Sequence, residues 1–153
     1  MAVATVAVEG GLFAVWGKPT IQDVDRVAQE MREGVYKAGR PILYVTRVPE
    51  YAPAPDPDVR RYLNSQMRLV GELYSTYHVV LEGAGFVAAM KRAVLVALFQ
   101  VAGKRRTFFV HSIPDEIYSV VREDDLSIAR QLLKQAKWRR LLEGDPAPVW
   151  YAA

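Results

Sequence analysis

Three apolar runs, Pro41-Ile42-Leu43-Tyr44-Val45, Tyr77-His78-Val79-Val80-Leu81 and Thr107-Phe108-Phe109-Val110-His111, are separated by stretches of helical periodicity. A strand with one wet face alternates apolar and polar residues, whereas a run without that alternation is covered on both faces. A parallel pair also needs a crossover long enough to carry a helix, and the spacing between these runs provides it. They therefore read as buried parallel strands of an α/β domain.

The chain of 153 residues has length enough for one domain with a substantial core, and 51% hydrophobic content is ordinary for a globular protein. With no cysteine, a disulfide framework and a thiolate metal site are both excluded, which suits a reducing cytoplasm. The first residues lack a basic segment followed by an apolar stretch, so no secretory signal is expected. The most membrane-like stretch, 93–102, is too short to span a bilayer and follows Lys91-Arg92; it reads as a buried helix. A formal charge of +3 does not by itself imply a nucleic-acid or membrane partner.

Ahead of the first run, 3–8 and 12–16 are short apolar segments joined by Glu9-Gly10-Gly11, the composition of a tight antiparallel hairpin. Thr20 is placed to cap a helix with Asp23 in its first turn and Ile21, Val24, Ala28, Met31, Val35 and Ala38 on one stripe; Gly39 stops it. A proline-rich loop then leads to Asp56 as N-cap and Pro57 at the first helical position. From there Val59, Leu63, Met67, Val70 and Tyr74 continue a helix to about Ser75. Glu82-Gly83-Ala84-Gly85 opens a further helix over 86–101. Pro114 opens a short one, and Asp124-Asp125 opens the last, which carries Leu126, Ala129, Leu133 and Ala136. Residues 1–122 thus form an α/β domain, and 123–153 supply a C-terminal helix and an aromatic tail packed on it.

Trp16-Gly17-Lys18-Pro19-Thr20 turning into the first helix, the strand Tyr77 to Leu81, the apolar helix around Phe99, and Phe108-Phe109-Val110 followed by Asp115-Glu116 together resemble the STAS-like family related to anti-sigma-factor antagonists. The likeness is to its STAS/SEC14-like branch and covers about 3–121. It implies a mixed sheet with an N-terminal antiparallel hairpin and parallel strands linked by crossover helices. It also implies a non-enzymatic regulatory or scaffold protein of bacterial circuits, acting by protein association, with a small-ligand or lipid-binding module of SEC14-like type as the alternative. The better-known antagonists switch partners by phosphorylation of a serine in the loop after the first parallel strand. Here that loop, 48–58, contains neither serine nor threonine, and Ser65 lies too far into the next helix to stand in.

Independently of any family, loops leaving the carboxyl ends of parallel strands share one rim, where ligands usually bind. That rule gathers Arg47, Glu50 and Tyr51 with Glu82, Gly83, His111 and Ser112. Arg47, Glu82, Gly83, His111 and Ser112 are the candidate polar-ligand residues, and His111 with a carboxylate is the arrangement an enzyme would use. Gly83-Ala84-Gly85 before a helix also suits close strand-to-helix packing, and Glu82 beside it disfavours phosphate. No cofactor, metal or nucleotide motif is present. The helix over 86–101 is apolar nearly all round, so its second side, with Ala89, Arg92, Val96 and Phe99, requires cover from the terminal helix, a second copy or a partner. Glu50, Tyr51 and Trp150 are the other partner-binding candidates. On the last helix Arg130, Lys134 and Lys137 recur at helical spacing, followed by Trp138-Arg139-Arg140. This pattern is either a solvated outer face or a seat for an acidic protein, anionic lipid or phosphate.

Overall fold

The structure is a computed structural model and describes residues 3–50, 52–53, 55–83, 91–93 and 107–143. It is a mixed α/β fold around one five-stranded sheet in the order β1-β2-β3-β4-β5. β1 (Val3–Val8) and β2 (Gly11–Trp16) form the antiparallel hairpin. β3 (Ile42–Val48), β4 (Tyr74–Leu81) and β5 (Phe108–His111) continue in parallel from β2 outward. All three apolar runs are strands running the same way; β3 and most of β4 are buried as expected, but β5, at the sheet edge, is only half-buried over Phe108 to Val110, because it has a strand neighbour on one side only.

Helix α1 (Ile21–Ala38) begins with a reciprocal capping box: Asp23 N donates to Thr20 Oγ1 at 3.2 Å and Thr20 N to Asp23 Oδ2 at 2.9 Å. It ends at Gly39, whose φ of 69° only glycine adopts freely. Helix α2 (Pro57–Gly71) starts with Pro57, but Asp56 makes no capping hydrogen bond; its carboxylate pairs with Lys18 at 3.2 Å instead. The helix also stops earlier than its stripe predicts. Tyr74 and Ser75 belong to β4, because Tyr74 pairs with Ile42, and Ser75 is the extra residue where the register shifts before Leu43 meets Thr76. Aromatic and β-branched residues over 74–81 favour that pleated surface over a fifth helical turn. Likewise β3 runs three residues past the expected end, which takes Arg47 into the sheet.

Three layers result. On one face Val27 and Met31 of α1, with Val70 near the end of α2, pack on Leu12, Ala14, Ile42 and Tyr44. On the other, helix α3 (Leu126–Trp138) lays Ala129, Leu132, Leu133 and Ala136 over Val6, Phe13, Val15, Leu43 and Val45. Ile128 sits so close to the hairpin that a Cβ on Gly11 would lie 2.8 Å from its Cγ2. The last helix therefore covers the back of the sheet. The helix expected over 86–101 lies outside the described residues except for 91–93, which are helical. The tail over 144–153 lies outside them as well. No helix among the described residues is long and apolar enough to cross a membrane.

Candidate functional site

The carboxyl ends of β3, β4 and β5 bring Arg47, Glu82, Gly83, His111 and Ser112 to one edge, as the parallel topology demands. Arg47 does not project into solvent there. It is 2% exposed, its guanidinium bonds the Glu82 carboxylate through Nε, and Nη1 donates to the Leu141 carbonyl at 3.2 Å. An arginine in the core is tolerable because its planar fork is satisfied by a charge and a carbonyl together. It thereby ties the strand edge to the segment after α3.

Gly83 has a φ of 100°, and a Cβ there would lie 2.9 Å from Glu50 Cγ. The glycine is thus needed for both its backbone angle and the close approach of the neighbouring loop. Lys91 clasps that loop from the other side, donating from Nζ to the carbonyls of Glu50 at 3.2 Å and Ala52 at 2.9 Å. Arg92, beside it, is exposed. Ser112 N donates to Glu116 Oε2 at 3.3 Å, which holds the first turn of the 3-10 helix Pro114–Ser119 against the end of β5. Tyr51, Ala89, Val96, Phe99 and Trp150 lie outside the described residues.

Sequence patterning passes over His78, and it is the most unusual polar side chain near this edge. It is completely buried, and its Nδ1 lies 2.9 Å from His111 Nε2, with the two rings stacked 5.2 Å apart and Phe109 stacked on His78 at 5.0 Å. Strand alternation explains the meeting: His78 is two residues before Val80, which pairs with His111, so both rings stand on the α3 face of the sheet. A signal existed in the sequence, since a histidine inside an otherwise apolar, doubly covered strand needs a partner.

Glu116 Oε2 is 3.8 Å from His111 Nδ1, beyond direct hydrogen-bond reach but close enough to favour the tautomer carrying its proton on Nδ1. His111 Nε2 then accepts from His78 Nδ1–H, and His78 Nε2 is left as a bare lone pair. That atom is buried without a hydrogen-bond partner, and so is Thr76 Oγ1, two residues earlier on the same strand face. Burial and then the neighbouring His111 push His78 down to about 4, so it is neutral at physiological pH. Burial likewise lowers His111, against a smaller upward pull from Glu116. In that tautomer the chain Glu116–His111–His78 leaves His78 Nε2 able to accept a hydrogen bond from a buried donor. Among the described residues no group of three His, Cys, Asp or Glu converges as a metal site. A shallow, open depression lies elsewhere, over the carboxyl-terminal half of α1, lined by Gln29, Arg32, Glu33, Tyr36 and Lys37.

Compared with protein-family models, with curated proteins and with solved structures, the chain matches none of them.

Proposed function

We propose that this chain is a non-enzymatic, STAS-like regulatory or scaffold protein that works in the cytoplasm by associating with another protein, or with a second copy of itself, through the carboxyl-end rim. One observation carries this reading. Directly after β5, Ile113, Tyr118 and Val120 expose large apolar side chains within eight residues, while Ile117 between them is buried in the core. Exposed apolar surface gathered within a short segment is the usual mark of an interaction site.

Two further features support it. Among the described residues the strands succeed one another in chain order without reversal, unlike the switch point that opens a ligand crevice in doubly wound folds. Rim charges are also engaged within the chain: Arg47 pairs with Glu82, and Glu116 accepts from the Ser112 backbone N–H.

The test compares wild type with the folded double variant Ile113→Asp/Val120→Asp. Light scattering over a concentration series reads self-association, and co-purification from the native source reads a partner. Wild type should form a defined complex that the variant loses. Equal behaviour of the two would reject the rim as the docking surface.

A second reading rests on the unpartnered His78 Nε2 and Thr76 Oγ1, which together would suit a small polar ligand or acid–base work. Native mass spectrometry of gently purified protein decides it, because a retained small molecule that disappears in His78→Phe would favour this reading over association.

A further inference from the structure

The carboxyl end of α3 carries a surface that the rim does not account for. Trp138 is 79% exposed, and Lys134 lies one turn before it on the outward side of the helix. Lys137, Arg139 and Arg140 flank the indole, all exposed. Among the described residues none of these four cationic side chains is in an ion pair or a hydrogen bond. Residues 126–142 contain no acidic side chain, so the charges on the helix itself are all positive, Glu143 being the first carboxylate beyond it.

The helix dipole explains part of this, because cations are favoured near a helix carboxyl terminus. It does not explain the indole, nor the identity of residue 140. Arg140 closes the helix at a φ of 59°, with its N–H bonded to the Lys137 carbonyl and the next residue's N–H, that of Leu141, to the Ala136 carbonyl. Stability alone selects glycine at that position. An arginine there is strained, and its side chain gains no bond among the described residues in return. The position itself is rigid, because the buried Arg47 holds the Leu141 carbonyl and Leu141 is in the core.

We propose that this end of α3 docks on an anionic lipid surface, with Trp138 seated among the headgroups and Lys134, Lys137, Arg139 and Arg140 facing their phosphates and carboxylates. The shape of the patch favours lipid over a folded partner. A protein hot spot rings its tryptophan with contacts that exclude water, whereas Trp138 stands exposed between exposed Lys137 and Arg139. An exposed amphipathic indole with cations on either side in the chain, unpaired among the described residues, matches the interfacial layer of a bilayer instead. This inference goes beyond the association reading, because it uses different residues.

The experiment sediments the full chain with vesicles of phosphatidylcholine alone or with added phosphatidylserine, at low and at high salt. Wild type should partition onto the phosphatidylserine vesicles at low salt, release at high salt, and ignore phosphatidylcholine. The double variant Arg139→Ala/Arg140→Gly should bind about thirtyfold more weakly, at about fivefold per cation near an anionic surface. Trp138→Ala should lose about tenfold through lost apolar burial. Circular dichroism of both variants should match wild type, and a glycine at 140 relieves strain, so weaker binding with an unchanged spectrum is not unfolding. The proposal is overturned if wild type fails to bind, if it binds both vesicle types equally, or if the variants bind as wild type does. Binding to single-stranded nucleic acid or an acidic polypeptide without binding to the anionic vesicles would overturn it as well.

Discussion

His78 makes the fold sensitive to acid in a definite window. The unfolded chain takes up a proton at the ordinary histidine value of 6.5, the folded chain only at about 4, so between those pH values the unfolded state holds more protons. Stability is therefore complete above the upper value and falls as pH drops through the window, by on the order of 3 kcal/mol in all. His111, also lowered, adds to the loss in the same direction. Denaturant titrations at pH 7 and pH 5 should show the decline in wild type and a clearly smaller one in His78→Phe; identical declines would mean that the pair does not titrate as a buried unit. On the other face of the sheet, Tyr44, Tyr74 and Tyr77 pack ring against ring, 4.4 Å between the centroids of Tyr44 and Tyr77 and 5.4 Å between those of Tyr74 and Tyr77. Tyr77 shares a hydrogen bond with Thr46 at 3.1 Å, but the Tyr74 hydroxyl is buried without a partner. Tyr74→Phe should therefore leave stability unchanged or raise it by up to about 1 kcal/mol, while Tyr77→Phe should lower it by about 1 kcal/mol because Thr46 loses its mate. At residue 140, Arg140→Gly should raise the unfolding free energy by roughly 0.5–1 kcal/mol, the relief expected when glycine replaces a side chain at positive φ. Thermal unfolding reads both comparisons.

The contact between α3 and the hairpin is the most demanding fit between elements. Gly11 has no Cβ, which lets Ile128 press onto β2; a methyl group there would stand 2.8 Å from Ile128 Cγ2 and 3.4 Å from Leu132 Cδ2. Gly11→Ala should cost about 1–3 kcal/mol through overpacking, and Ile128→Ala in the same chain, which removes the offending Cγ2, should recover part of it. Additive losses in the double variant would show that the two do not share this contact. Elements like these were legible where a local physical rule had no competitor. The capping box at Thr20, the glycine stop at 39 and the three unbroken apolar runs each left one stable choice. The end of α2 was not legible, because Tyr74 satisfies the helical stripe and the strand pairing equally until Ile42 is known to lie beside it. Asp56 obeyed the rule for an N-cap in position but not in contact, since Lys18, remote in sequence, competes for its carboxylate. The rim residues were readable from topology alone. The His78–His111 pair was not, because it depends on the register between β4 and β5, and four residues of strand do not reveal a register.

At the scale of the molecule, sequential strand order has a consequence for the terminal helix. When every crossover steps the same way with the usual right hand, the connecting helices collect on one face of the sheet. α1 and the end of α2 meet that expectation, sharing one apolar cluster with Leu12, Ile42 and Tyr44. Among the described residues the opposite face, bearing Phe13, Val15, Leu43 and Val45, is covered by the chain beyond β5. α3 fills that place through Ala129, Leu132, Leu133 and Ala136, and the Arg47 bond to the Leu141 carbonyl locks its far end. The helix is thus a layer of the domain, although it could pass for an appendage from its position in the chain. A chain ended at residue 122 should retain strand and helix signals in circular dichroism yet bind a hydrophobic dye and unfold without a cooperative transition, because one side of its sheet has lost its cover. The 153-residue chain should unfold in a single step, with the fluorescence of Trp16, which packs against the core, as the only tryptophan after Trp138→Phe and Trp150→Phe, tracking the far-ultraviolet signal. Cooperative unfolding of the shortened chain at wild-type stability would mean that the sheet stands without its back layer.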